Sequence, residues 1–146
     1  MTSSAESSGT AASRGTIVVL IKDLFFAVTI RSTLRTLGFD AALFSDADQV
    51  SSHIAAVDTR LVVVDGSAIR SAGDWERVGA IAACGFPVLV FGPHKDVETL
   101  RAAKEAGVTR VVANSLFHRE MATLVERYAL TTARDDSGER ANGRQG

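Results

Sequence analysis

Asp65 closes a run of aliphatic residues, Leu61-Val62-Val63-Val64-Asp65-Gly66-Ser67, and is the residue best placed to do chemistry in this chain. Such a run reads as a strand buried on both faces of a parallel sheet, and ligand crevices in open α/β sheets lie outside the carboxyl ends of those strands. A carboxylate there sits where chemistry usually happens. The first apolar run, Thr16-Ile17-Val18-Val19-Leu20-Ile21, ends differently, in Lys22-Asp23. A hard divalent cation wants several oxygen ligands, and this strand offers an apolar residue and a cation, with Asp23 as the one nearby carboxylate. Two arrangements suit Lys22. It can pair with Asp65 across neighbouring strands and take over the electrostatic role of a metal, or it can point to solvent while Asp65 caps the loop through Gly66 and Ser67.

A second crevice segment, Phe91-Gly92-Pro93-His94-Lys95-Asp96, follows another apolar run. His94 and Lys95 should rim the same crevice, where His94 can bind an anion, respond to pH or dock a partner. It can equally be an exposed loop histidine beside an N-capping Asp96. His53 and His118 lie off the apolar stripes of their helices and are expected at the surface. Cys84, beside Gly85 at a helix end, reads as a small packing residue. Neither a Gly-x-Gly-x-x-Gly turn nor a Gly-x-x-x-x-Gly-Lys loop follows a strand, and no His/Cys set has zinc spacing. No loop set joins a nucleophile, a base and an oxyanion donor. The expectation is a protein without cofactor or metal, and not an enzyme.

The elements that must position these residues follow from periodicity. Asp23 can cap a helix with Ala27, Ile30, Leu34 and Leu37 on one face, ended by Gly38. Ala41 to Phe44 makes a second strand. Ser45 and Asp48 resemble a capping box ahead of a stripe of Ala47, Val50, Ile54 and Val57. After the strand Leu61 to Val64, Trp75, Val78 and Ile81 mark a helix stopping at Gly85, and Pro87 leads into Val88 to Phe91. Asp96 caps a helix with Val97, Leu100 and Ala103 facing inward, closed by Gly107. Val108 to Ala113 is the fifth strand, and Ser115 opens a helix with Phe117, Met121, Leu124 and Tyr128 on one face. Five βα units with short connections predict an α/β fold: a flavodoxin-like, doubly wound, five-stranded parallel sheet of order 2-1-3-4-5 with helices on both faces. The domain is expected over residues 16–130, between a disordered leader (1–15) and a disordered tail (131–146), both polar. With 146 residues, 46% hydrophobic, 23% charged and a net charge of −1, the composition suits a globular domain and supports neither nucleic-acid nor membrane binding. One cysteine and no apolar stretch of membrane-spanning length point to the cytoplasm.

From Thr16 to Ala129 the sequence resembles a receiver domain, the phosphorylatable module of bacterial response regulators. The matching landmarks are Arg31 to Phe39, Leu61 to Asp65, Phe86-Pro87-Val88-Leu89-Val90, and Ala102-Ala103-Lys104-Glu105-Ala106-Gly107-Val108. The resemblance puts the phosphoacceptor position on Asp65 and the two metal-binding acids on Ile21 and Lys22. It puts the hydroxyl residue after the fourth strand on Gly92, and the lysine ending the fifth strand on Ala113. Only the aspartate is retained, so the chain is similar to an atypical receiver, a pseudo-receiver. The resemblance implies a stand-alone protein–protein interaction module in signalling, the stretch after Leu130 being too short and polar for an output domain. It also implies a partner face on the fourth helix, fifth strand and fifth helix, carrying Arg101, Lys104, Arg110 and Arg119 with Glu105, Glu126 and Arg127. A homodimer is allowed. Two alternatives stand beside this. One is a true phosphoacceptor using Asp65 with Asp23 in a shifted metal site. The other is a sensor holding a small anion at Lys22, His94 and Lys95.

Overall fold

Aliphatic strands buried on both sides dictate the architecture. The structure, a computed structural model, describes residues 13–93 and 96–134. Its strands are β1 (Thr16–Leu20), β2 (Asp40–Phe44), β3 (Thr59–Asp65), β4 (Val88–Gly92) and β5 (Arg110–Ala113). The helices are α1 (Leu24–Thr36), α2 (Ala47–His53), α3 (Ala72–Ala83), α4 (Val97–Ala106) and α5 (Asn114–Arg134), with 3-10 turns at Ile54–Ala56 and Gly66–Ala68. All strand pairs are parallel and the order is β2-β1-β3-β4-β5, the flavodoxin-like topology expected from the sequence.

Side chains alternate across the sheet, which divides the core in two. Ile17, Val19, Ile21, Leu61, Val63, Leu89 and Phe91 meet Ile30 and Leu34 of α1 and Phe117, Met121, Leu124 and Val125 of α5. Val18, Leu20, Val62, Val64, Val88 and Val90 meet Ala47 and Val50 of α2, Val78 and Ile81 of α3, and Ala103 of α4. The central strands β1, β3 and β4 are almost wholly buried, and the edge strands β2 and β5 are partly exposed.

Caps set the helix ends. The Asp23 carboxylate accepts from the N–H groups of Phe25 and Phe26, and Asp96 accepts from that of Thr99, as their positions before the helices predict. Gly38 and Gly107 end α1 and α4 at φ 95° and 83°, a left-handed conformation that glycine adopts without a Cβ penalty. Several expectations are corrected. The cap of α2 is Asp46, whose carboxylate accepts from the Asp48 N–H, so Ser45 makes no capping box. α2 tightens into the 3-10 turn at Ile54, and Val57 is extended beyond it. Val97, read with Leu100 and Ala103 as the apolar set of α4, is 62% exposed, while Ala103 is fully buried. Cys84 is the exposed C-cap of α3 and does not pack.

At the amino end, Arg14 donates to the Leu37 carbonyl at 2.6 Å and to Glu126 at 3.1 Å, and its guanidinium lies over the Phe39 ring. Packing therefore begins before Thr16. At the other end α5 runs on to Arg134, past the expected boundary at Leu130, and is broken at Glu120 by a non-helical φ/ψ of −124°/28°. Residues 1–12 and 135–146, within the expected leader and tail, lie outside the described residues.

Candidate functional site at the carboxyl end of the sheet

Leu20 of β1 stands in register with Val64 of β3, so Ile21 and Asp65 leave the sheet side by side. Asp65 is opposite Phe91 of β4, and Gly92 is opposite Ala113 of β5. The topology thus brings Ile21, Lys22, Asp23, Asp65, Gly92 and Ala113 to one edge. His94, with Lys95, lies outside the described residues.

Asp65 is buried, at 6% exposure, and serves as the N-cap of the turn Gly66–Ala68. Its Oδ1 accepts from the Ser67 N–H at 2.9 Å and from the Ser67 hydroxyl at 2.6 Å. Ile21 is buried in the core cluster under α1, and its N–H is bonded to the Phe44 carbonyl at 2.8 Å. Lys22 is exposed and takes no part in the ion pairs seen among the described residues, which involve Arg14, Arg60, Arg77 and Arg119. Of the two arrangements open to it, the solvent-facing one is found, with Asp65 capping its own loop. The cause is geometric. Asp65 is held to its own loop by Ser67, while Lys22 stands exposed just ahead of Asp23, the N-cap of α1.

The Asp23 carboxylate faces α1, with Oδ1 2.9 Å from the Phe25 nitrogen and 3.2 Å from that of Phe26. The divalent metal implied by the receiver resemblance therefore does not fit the residues present. One acid is tied to Ser67, another caps a helix, and the remaining positions are an isoleucine and a lysine. Among the described residues no group of three or more His, Cys, Asp or Glu converges to hold a metal ion.

Two features were not read from the sequence. Thr99, in the first turn of α4, gives its hydroxyl to Asp96 Oδ2 at 2.6 Å and its N–H to Asp96 Oδ1 at 3.1 Å. The Thr99 hydroxyl bond is the main cause of an Asp96 pKa below its ordinary value, the Thr99 N–H adding to it and desolvation opposing. The Thr99 methyl reaches the loop after Asp65, where a Cβ on Gly66 would sit 2.9 Å from it. Asp96 and Thr99, three apart, were the available signal. Behind them lies a small cavity of about 80 Å³ lined by Gly92, Pro93, Thr99, Leu100, Val111, Val112 and Ala113, without a titratable side chain.

The second missed feature is aromatic. Phe26 meets Phe91 and Phe117 edge-on, at 5.7 and 5.9 Å between ring centroids, and stacks on His118 at 3.8 Å. Phe91 and Phe117 are themselves stacked at 4.2 Å. Phe26 thereby fixes the rotation of α1, and its neighbours are left in water: Leu24 is 77%, Phe25 90% and Val28 69% exposed. The adjacent Phe25-Phe26 pair was the clue, since consecutive helical residues cannot share one face. His118 is exposed, as expected; His53 is half-buried with its ring 5.0 Å from that of Phe44.

On the expected partner face Arg101, Lys104, Arg110 and Arg119 are all exposed. Arg110 donates to the Tyr128 hydroxyl at 3.0 Å and Arg119 lies 3.5 Å from Glu120. Among the described residues no helix is long and apolar enough to cross a membrane.

No family model and no curated protein matches this chain in sequence. Solved structures do match in fold. Full-length FixJ from B. japonicum superposes with a TM-score of 0.70 at 19% identity over 86% of this chain, which spans 63% of FixJ, less than two thirds of it. The chemotaxis protein CheY4 of Vibrio cholerae gives 0.66 at 13% identity, covering 77% of this chain and 97% of that one. The signal receiver domain of an HD domain-containing protein from Pseudomonas fluorescens Pf-5 gives 0.71 at 12% identity, with 90% and 98% covered. The chain has the fold of the receiver domains of response regulators.

Proposed function

We propose that this chain is a receiver-like module of bacterial signalling that acts by binding another protein, without ordinary metal-dependent phosphorylation of Asp65 and without a reaction of its own. The fold shared with response-regulator structures supports the signalling half of this reading. The mouth of the crevice carries the rest. Phosphoryl transfer to a carboxylate builds negative charge that must be met by cations held at the site. Here Ile21 is buried where a ligand would stand, Asp65 is engaged by Ser67, and Gly92 and Ala113 bring neither hydroxyl nor ammonium. Next to Lys22 and the capping Asp23 stand Leu24, Phe25 and Val28, apolar and in water, and the first turn of α1 adds no further carboxylate. Exposed apolar side chains gathered in one place mark contact surfaces. The cations of α4, β5 and α5 supply a second contact region of the kind that sets specificity.

Capture of interacting proteins from the source cells tests both halves at once. The wild-type chain, a Phe25→Asp variant and an Asp65→Asn variant serve as baits, each with and without beryllofluoride and magnesium. A partner held by wild type and Asp65→Asn alike, unaffected by beryllofluoride and lost from Phe25→Asp, is the expected result. A partner gained only with beryllofluoride, or a covalent phosphoryl adduct after acetyl phosphate that vanishes in Asp65→Asn, would overturn this reading in favour of a true phosphoacceptor.

A further inference from the structure

On the side of the sheet opposite α1 and α5, α3 and α4 run side by side and enclose a groove of about 460 Å³. α3 lines it with Ala72, Trp75, Glu76 and Gly79, spaced 0, 3, 4 and 7 along the helix, and α4 with Ala102, Glu105 and Ala106. These spacings put each set on one helical face. The small residues make the space. At its end the helices nearly touch, since a Cβ on Gly79 would lie 3.2 Å from the Ala106 carbonyl oxygen. Trp75 is half-buried, packed on the core cluster beneath and lining the groove.

The charges on α3 sort by position. Asp74, off the groove, is tied by its side chain to the Arg70 N–H and lies 4.0 Å from Arg77, which also pairs with Asp48. Glu76 and Glu105 are the ionisable side chains that line the groove. Both are exposed, and neither forms an ion pair among the described residues. A largely apolar channel lined by tryptophan and flanked by two carboxylates that have no ion-pair partner among the described residues is complementary to a helix with bulky apolar residues on one stripe and lysine or arginine beside it. A cation near Trp75 gains from the indole face as well. We infer that this groove docks a basic amphipathic helix of a partner protein, at a site separate from the apolar mouth of the crevice.

Trp75 is the single tryptophan, so its emission reports on the groove. The probe is a tryptophan-free synthetic helix with leucines on one stripe flanked by lysines, compared with its glutamate-flanked counterpart. The expected result is a saturable change in Trp75 emission with the lysine peptide alone. Amide shifts should be confined to 72–79 and 102–106, and affinity should fall at least about tenfold in Glu76→Lys/Glu105→Lys. Ala106→Leu, which fills the groove without altering charge, should weaken binding too; circular dichroism checks that each variant is folded. Equal binding of both peptides, shifts centred elsewhere, no saturable response, or undiminished affinity in the charge-reversed variant would overturn the inference. So would emission that changes with protein concentration alone, which would mean that a second copy fills the groove.

Discussion

The Oδ1 atom of Asp65 accepts both the N–H and the hydroxyl of Ser67, so this carboxylate holds the loop after β3 in place. Asp65→Ala should therefore cost on the order of 1–2 kcal/mol, the range for losing a cap and leaving its donors unmet. Asp65→Asn keeps an acceptor and should cost clearly less; urea unfolding of the two variants checks the difference. Lys22→Ala should be neutral to within about 0.5 kcal/mol, and the Lys22/Asp65 double-mutant cycle should give a coupling near zero. A coupling above about 1 kcal/mol would mean that the lysine reaches the crevice in solution. Asp96 gives a prediction with a defined sign. Its folded-state pKa lies below the ordinary value of 3.8, so protonation favours the unfolded chain. The stability it contributes is fully present above that value and is lost as pH falls through the lower folded one. Thr99→Val removes the hydroxyl that is the main cause of the shift, and the Asp96 carboxyl should then titrate at higher pH, as carbon NMR of the side chain would register.

Among the elements, the first turns of α1 and α4 decide what the crevice presents. The anchoring of Phe26 against Phe91 and Phe117 leaves Leu24, Phe25 and Val28 outside, and the contact of Thr99 with Gly66 ties α4 to the loop of Asp65. A Cβ at Gly66 would also lie 3.3 Å from the Phe91 carbonyl oxygen, which cannot yield easily. Gly66→Ala should destabilise by about 1–3 kcal/mol, the usual cost of overpacking. Thr99→Ser keeps the hydroxyl for Asp96 but removes the methyl, so the double variant should recover part of that loss in thermal unfolding. These elements also mark how far the sequence could be read. Asp23 with Gly38, and Asp96 with Gly107, announce their helices because capping is local chemistry, and the aliphatic runs announce the central strands. The cap at Asp46 in place of Ser45, the exposure of Val97 and Cys84, and the break at Glu120 depend on how each helix meets the sheet, which spacing alone does not encode. For the site, the isolation of Asp65 was legible from Ile21-Lys22. The choice of Lys22 between Asp65 and water was not, because it turns on where the chain leaves β1.

At the scale of the whole molecule, one sheet serves two cores. α1 and α5 cover one face and α2, α3 and α4 the other, yet every strand contributes alternate residues to both, so neither layer can keep its packing once the other has gone. The two proposed contact regions, the mouth at Leu24, Phe25 and Val28 and the groove at Trp75, lie on opposite layers of this unit. If the layers unfold together, damage far from Trp75 must still be felt there. Leu34 of α1 is fully buried against the sheet, in the core layer opposite that of Trp75. Leu34→Ala should cost about 2–5 kcal/mol, as truncations at well-packed core positions do. Urea unfolding followed by Trp75 fluorescence should then shift by the same amount as unfolding followed by far-ultraviolet circular dichroism, with one midpoint for both. A fluorescence midpoint that stays at its wild-type value while the dichroism moves would show that the α3–α4 layer holds together without α1. The sheet would then join two separable units, and binding at one could leave the other unchanged.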